Sequence, residues 1–390
     1  MTVRIGIEVL LGERLDLVQG AKVGAVVHPA SVLPNFQHSA DVLVHQKSFR
    51  LVSLFGPQHG ARGEKQDNMI ESGFYRDPET RLPVHSLYSE TRKPTHEMIE
   101  DIDVLMYDLQ DVGTRVYTFV YTMAYSMQAC AEYGKRMLVL DRPNPINGLQ
   151  VEGNRLNAEY RSFVGLYPIP MRHGMTVGEL ALFFNSEFGI GCDLTIVPMK
   201  GWRRFHWFDQ TGLPWIQPSP NLPTLDSATV YPGMVLVEGT QLSEGRGTTR
   251  PFEFIGAPYI KPREFADYLT GLELPGVHFR PAYFEPTFQK WAGRMCGGVQ
   301  VHVKDRQAFE PYLTGIAVIS AARALYQDSF RWREPPYEYE YEKLPIEILC
   351  GGREIPRMIE QALPPDLIRS SWQADVVQFL ERRKPYLLYE

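Results

Sequence analysis

The chain is 390 residues long, with 44% hydrophobic and 22% charged residues, enough apolar mass for two packed units and the composition of a folded protein. A formal charge of −6 without a basic tract excludes a general nucleic-acid binder. No run approaches the ~20 apolar residues that cross a bilayer, so no membrane partner is expected. Cys130, Cys192, Cys296 and Cys350 are scattered without a CxxC pair, which points to reduced core thiols rather than a zinc cluster or a disulfide framework. The amino terminus, MTVRIGIEVLLGERLDLVQG, lacks a long apolar core and a small-residue cleavage site, so a cytoplasmic protein is expected.

Apolar spacing predicts a first helix over Leu10 to Val18 and a buried strand over Lys22 to Val27 that stops at His28-Pro29. A helix from Phe36 to Val44 leads to a second strand, Phe49 to Phe55. That strand ends in LFGPQHGAR, where Gly56-Pro57 breaks it and leaves Gln58, His59 and Arg62 beyond its carboxyl end, where open α/β sheets bind ligands. A short strand at Val84 to Tyr88 and a helix at Thr95 to Asp101, with Thr95 as N-cap, follow. The strand Asp103 to Tyr107 runs into Asp108, Gln110 and Asp111, ahead of a helix predicted from about Arg115 that carries Tyr117, Tyr121 and Tyr125 at i+4. Arg136 to Leu140 likewise runs into Asp141, Arg142 and Asn144. This alternation predicts an α/β fold: a Rossmann-like, mostly parallel sheet with helices on both faces and a site along one edge. No GxGxxG follows the first strand and no GxxxxGK[ST] occurs, so no nucleotide cofactor is expected.

Beyond a loop with Glu152, Thr176 and Glu179 form a capping box before an apolar helix, leaving Arg172 and His173 outside it. Asp193 to Pro198 reads as a strand. The Trp- and Pro-rich stretch from Gly201 to Ala228, which carries Asn221, reads as a long ordered loop of the kind that often serves function. Met234 to Glu238 reads as a strand entering EGTQLSEGRGTTRPFEFIGAP, where Glu238, Glu244, Arg246, Thr248 and Arg250 crowd around glycines. From about Pro251 the pattern becomes α+β, with helices at Arg263 to Thr270 and Gln307 to Gln327 and a strand at Gly298 to Val303. A Rossmann-like domain over 1–250 and a smaller α+β domain over 251–390 are therefore expected. The tail PPYEYEYEKLPIEILCGG shows no catalytic pattern.

Carboxylates set among arginines, histidines, amides and aromatics suit a sugar or another polyhydroxylated ligand. Glycoside hydrolysis needs a carboxylic acid to protonate the leaving oxygen and often a second carboxylate. Glu71, Asp108, Asp111, Glu152, Glu238 and Glu244 are eligible, each being alternatively a loop cap or a salt bridge. His59 with Asp67, or Asp108 with Asp111, could supply metal ligands, but no helix-spaced ligand motif and no GxSxG elbow occur, so no required metal and no serine nucleophile are expected.

The segments FGPQHGARG, YDLQDVGTRVYTFVYTM, LDRPNPINGLQVEGN, PIPMRHGMTVGEL, PSPNLPTLDSATVYPG and EGTQLSEGRGTTRPFEFIGAP, with CGGVQVHV further on, resemble the exo-β-N-acetylmuramidase NamZ family, formerly the domain of unknown function DUF1343. The resemblance implies a Rossmann-like catalytic domain without a nucleotide, an auxiliary carboxyl-terminal domain, and a cleft between them. It implies hydrolysis of the β-1,4 bond that holds a non-reducing terminal N-acetylmuramic acid on peptidoglycan-derived glycans. Members typically read GPEHG where this chain has Gln58, and an amide cannot deliver a proton as a carboxylic acid does. Gln58 is therefore expected to bind substrate while another carboxylate, such as Glu71, supplies the acid.

The expected catalytic carboxylates are Glu71, Asp108, Asp111 and Glu244. The expected substrate-binding residues are Gln58, His59, Arg62, Gln110, Arg115, Tyr117, Arg142, Asn144, Glu152, His173, Asn221, Glu238, Arg246 and Arg250. Among them Arg62, Arg115, Arg142, Arg246 and Arg250 are candidates for the lactyl carboxylate, which a guanidinium can grip through two hydrogen bonds. A saccharide-binding or sensing protein without hydrolysis, or a glycosidase for another acidic sugar, are the competing expectations. Exported peptidoglycan enzymes need a leader, so recycling of internal muramyl glycans accompanies the cytoplasmic expectation.

Overall fold

The computed structural model describes residues 2–63, 65 and 73–390. Among the described residues, seven strands form the first sheet: Lys22–Val26 (β1), Arg50–Gly56 (β2), Tyr75–Arg76 (β3), Pro83–Ser86 (β4), Val104–Tyr107 (β5), Arg136–Leu140 (β6) and Asp193–Val197 (β7). Their order is β3-β4-β2-β1-β5-β6-β7, and all pairs are parallel except the short β3, which lies antiparallel to β4 at one edge. The chain winds outward from β1 through β2 to β4, then returns to place β5 on the other side of β1. That reversal opens a crevice at the carboxyl ends of the strands, where ligands bind in such sheets.

Helices cover both faces, which is why β5 is buried at every residue. Gly6–Glu13 (α1) and Ser39–Leu43 (α2) pack on the face that carries Val23, Ala25, Val104 and Met106. His96–Ile99 (α3), Phe119–Glu132 (α4) and Val177–Glu187 (α5) pack on the opposite face, against Val26, Leu105, Tyr107 and Val139. The expected capping box starts α5: Thr176 Oγ1 accepts from the Glu179 amide, and Glu179 Oε2 accepts from the Thr176 amide at 3.0 Å.

The second sheet is antiparallel and smaller, with Phe254–Ala257 (β8), Val277–Phe284 (β9) and Cys296–Val303 (β10) in the order β8-β10-β9. Leu225–Met234 (α6), Pro262–Thr270 (α7) and Pro311–Leu325 (α8) accompany it. Helices α6 and α8 cross backbone to backbone at Gly233 and Gly315, where a methyl group on Gly233 would lie 1.7 Å from the Pro311 carbonyl oxygen. Glu152, on the loop after β6, accepts from the amides of Tyr312 (3.1 Å) and Leu313 (2.8 Å) in the first turn of α8. This ties the loops of the first sheet to the second unit. All four cysteines are free and buried, and no described helix is long and apolar enough to cross a membrane.

Several expected elements differ. Met234 to Glu238 is not a strand but the end of α6 followed by a 3-10 turn, Val235–Gly239. Every residue there is buried, and a fully buried helix shows the same unbroken apolar run as a buried strand. Helix α4 begins at Phe119 rather than near Arg115, so Tyr117 precedes it. The predicted first helix is split between α1 and a 3-10 turn at Leu15–Val18. Thr95 sits at the N-cap of α3 without a side-chain cap bond. Strand β9 went unpredicted because Pro281 interrupts it, which its edge position tolerates.

Candidate active site

The loops after β2 and β5, on either side of β1, face the 235–252 segment and a turn at 337–340 across a cleft. The cleft holds about 480 Å³ of empty space counted out to its mouth. Behind Gly56 the chain doubles back so tightly that a methyl group there would meet the Ala61 amide nitrogen at 2.8 Å. His59 takes φ 73° in the same turn. The turn points Gln58 and His59 into the cleft opposite Glu238, Arg246, Tyr337 and Glu338. Aromatic edges form a wall, with Tyr117 against Phe119 (4.7 Å between centroids) and Tyr231 against Phe252 (4.8 Å).

Gln58 is fixed at both ends of its amide. Its carbonyl accepts from Thr118 Oγ1 at 2.9 Å and its amino group donates to the Tyr88 hydroxyl at 3.2 Å. Tyr88 in turn donates to Glu338 Oε2 at 2.8 Å. Burial first, then the negative charge of Glu338, keeps the Tyr88 phenol protonated far above its ordinary range. Burial also pushes the Glu338 carboxyl up from its usual range, and nearby Glu238 adds to this against the hydrogen bonds of Tyr88 and Gln58.

The opposite wall is ionic. Arg246 donates to Glu238 at 2.7 Å and lies 3.4 Å from Glu244, whose other oxygen accepts from Lys290 at 2.9 Å. Burial works against the charge on Arg246, but Glu238 and Glu244 outweigh it and hold the guanidinium above its ordinary pKa. Burial likewise opposes ionised Glu244, and Lys290 with Arg246 reverse the balance, holding its carboxyl below the usual range. Glu238 also accepts from the Tyr337 hydroxyl at 2.8 Å.

Of the expected residues, Gln58, His59, Tyr117, Asn221, Glu238 and Arg246 line this cleft, and Glu244 buttresses Arg246 from behind. Glu71 lies outside the described residues, as does Asp67. The others are engaged elsewhere. Asp108 is gripped through two bonds by Arg142 (2.6 and 2.9 Å). Asp111 accepts from the Gly113 amide at 2.7 Å and lies 3.3 Å from His173. Arg115 donates to the carbonyls of Asn154, Ile169 and Leu349, so its charge holds three backbone segments together. Arg62 pairs with Asp41 and Asp77, and half-exposed Arg250 with Glu253. Gln110 and Asn144 donate to loop carbonyls, and Glu152 caps α8.

Sequence reasoning missed Thr118, Tyr231, Phe252, Tyr337 and Glu338 on the cleft wall, and Tyr88 behind Glu338. In YEYEYE carboxylates alternate with aromatics after two prolines, but nothing local distinguishes the one that is buried in the cleft.

Together these features define an α/β protein of two sheets whose cleft pairs carboxylates with aromatic and guanidinium walls, a site class suited to polyhydroxylated, acidic ligands. Residues 23–226 match the family described as exo-beta-N-acetylmuramidase NamZ, N-terminal, and residues 229–389 match its C-terminal counterpart. The chain belongs to the NamZ family. It is 48% identical to the peptidoglycan beta-N-acetylmuramidase NamZ of Bacillus subtilis (strain 168) over 387 residues, which are 99% of this chain and 91% of that protein. Two DUF1343 family crystal structures from Bacteroides fragilis are similar throughout. One has a TM-score of 0.92 at 37% identity and the other 0.78 at 30%, each covering 100% of this chain and 99% of its own.

Proposed function

We propose that this protein is an exo-acting glycoside hydrolase that releases non-reducing terminal N-acetylmuramic acid from peptidoglycan-derived saccharides by hydrolysing the β-1,4 bond. The observation that carries this reading is the cleft, where two buried glutamates, Glu238 and Glu338, share one cavity with a guanidinium and aromatic rings, in a chain that is a full-length relative of a muramidase. Glycosidases work through such carboxylate pairs. Arg246 is, of the five candidate arginines, the one on the cleft wall, and it is the proposed partner of the lactyl carboxylate. The domain division at about residue 250 remains part of the proposal. Residues of the cleft come from both sides of it. A cytoplasmic role in cell-wall recycling is its finer part, tested by where the activity fractionates. The decisive assay incubates the protein with a disaccharide that carries N-acetylmuramic acid at its non-reducing end. Free N-acetylmuramic acid is the expected product, and no turnover at any pH from acid to neutral would sink the reading.

A further inference from the structure

Tyr337 and Glu340 exchange backbone hydrogen bonds of 2.9 Å in each direction, closing a turn in which Glu338 and Tyr339 take φ of 45° and 67°. Neither is a residue that favours the left-handed region. The guanidinium of Arg92 stacks 3.8 Å from the centre of the Tyr339 ring and also lies over the Tyr88 ring, pinning the turn to the loop after β4. The result is that the Glu338 side chain lies inside the cleft with only 6% of the residue exposed.

The two glutamates of the cleft keep different company. Glu238 is salt-bridged to Arg246. Glu338 is held by a hydroxyl and an amide, those of Tyr88 and Gln58, and Gln58 also donates to the Tyr88 hydroxyl. We propose that Glu338 is the general acid that protonates the leaving glycosidic oxygen, with Tyr88 and Gln58 as the positioning residues that aim it; this rests on the glycosidase reading above. In the step assigned to it, the bond between the anomeric carbon and the bridging oxygen breaks and its electron pair stays on that oxygen. The Glu338 proton completes the new hydroxyl of the departing sugar. A water oxygen bonds to the anomeric carbon, and the proton this water sheds restores the Glu338 carboxyl, so one water is consumed and no net proton. Burial and Glu238 shift the Glu338 carboxyl upward, the direction that suits a proton donor. Gln58 then has a defined use. As an amide it donates a hydrogen bond at every pH, without placing a further negative charge beside the acid.

The test compares kcat/KM of the full chain on two substrates, a muramyl disaccharide and a para-nitrophenyl muramide whose leaving group departs without needing a proton. Glu338→Gln is expected to lose about 10²–10⁴-fold on the disaccharide and far less on the nitrophenyl substrate, and to lose the alkaline limb of the pH–rate profile. Tyr88→Phe keeps the ring and removes the donor to the carboxylate. It is expected to lose about 10-fold on the disaccharide and to move the alkaline limb to higher pH, because the ionised form is no longer stabilised. Equal losses of Glu338→Gln on both substrates with the limb unmoved, full activity of that variant on the disaccharide, or an unmoved limb in Tyr88→Phe would each overturn the assignment while leaving the glycosidase reading in place. A wild-type protein that turns over neither substrate removes that reading itself.

Discussion

Gln58, expected from the sequence to bind substrate, has a defined physical setting in the structure. Its amide is oriented by Thr118 and Tyr88, and its neighbour in the cleft is a glutamate that already resists ionisation. Gln58→Glu would set a second carboxylate beside Glu338, and two such groups cannot both ionise cheaply. The alkaline limb of kcat/KM is therefore expected to move up by about 1 pH unit; an unmoved limb would show that position 58 does not sense the acid. Gln58 and His59 were legible in the sequence because a broken strand end announces a loop at the ligand-binding edge of a sheet. Glu238 and Arg246 were legible from their glycine-rich surroundings. Glu338 was not, since its burial depends on Tyr88, which lies 250 residues earlier in the chain, and no local periodicity encodes that encounter. Arg115 misled for the opposite reason. A charged residue at a strand end looked available, yet its guanidinium is spent on three backbone carbonyls.

The elements that carry the acidic wall depend on one close crossing. Glycine inside a helix ordinarily costs about 1 kcal/mol relative to alanine, so Gly233→Ala would stabilise an isolated α6. Here the added methyl would collide with the backbone of α8, and overpacking costs about 1–3 kcal/mol or more. The collision wins. Gly233→Ala is expected to lower the denaturant midpoint by an amount equivalent to about 2 kcal/mol at unchanged m, and to reduce activity, because α6 leads directly into the turn that presents Glu238. An unchanged midpoint would mean that the two helices part easily. The same region is where a strand was predicted, and the failure has a cause: α8 and the helix at Pro345–Cys350 bury the run and erase the periodicity that separates helix from strand. By contrast, β6 and the capping box of α5 were readable to the residue, because each is defined by neighbours in sequence.

At the scale of the molecule, the two sheets are joined partly through buried charge. Burial pushes the Glu152 carboxyl up to about 7, against the two α8 amides that favour its ionised form. A carboxyl that binds its proton more tightly when folded adds stability that is complete below about pH 4.5 and is lost as pH rises through about 7. Buried His28 and His38 act in the opposite sense, because burial lowers their pKa and favours the neutral ring. The informative quantity is therefore the difference between wild type and Glu152→Gln. The wild-type advantage in melting temperature is expected to shrink between pH 5 and pH 8, and a constant difference across that range would refute the linkage. The two-part α/β architecture was legible from strand–helix alternation followed by an α+β pattern, whereas these long-range ties were not, since buried ion and amide contacts leave no compositional trace.

The left-handed turn at Glu338 and Tyr339 has a consequence for any attempt to improve the protein. Glycine would occupy either position with less conformational cost, and at position 338 it would also remove a buried acidic group. A laboratory selection that scores heat tolerance alone would therefore draw Glu338 toward glycine and disarm the cleft as it succeeded. Robustness and turnover pull this one residue in opposite directions, so a useful screen has to reward product release in every round.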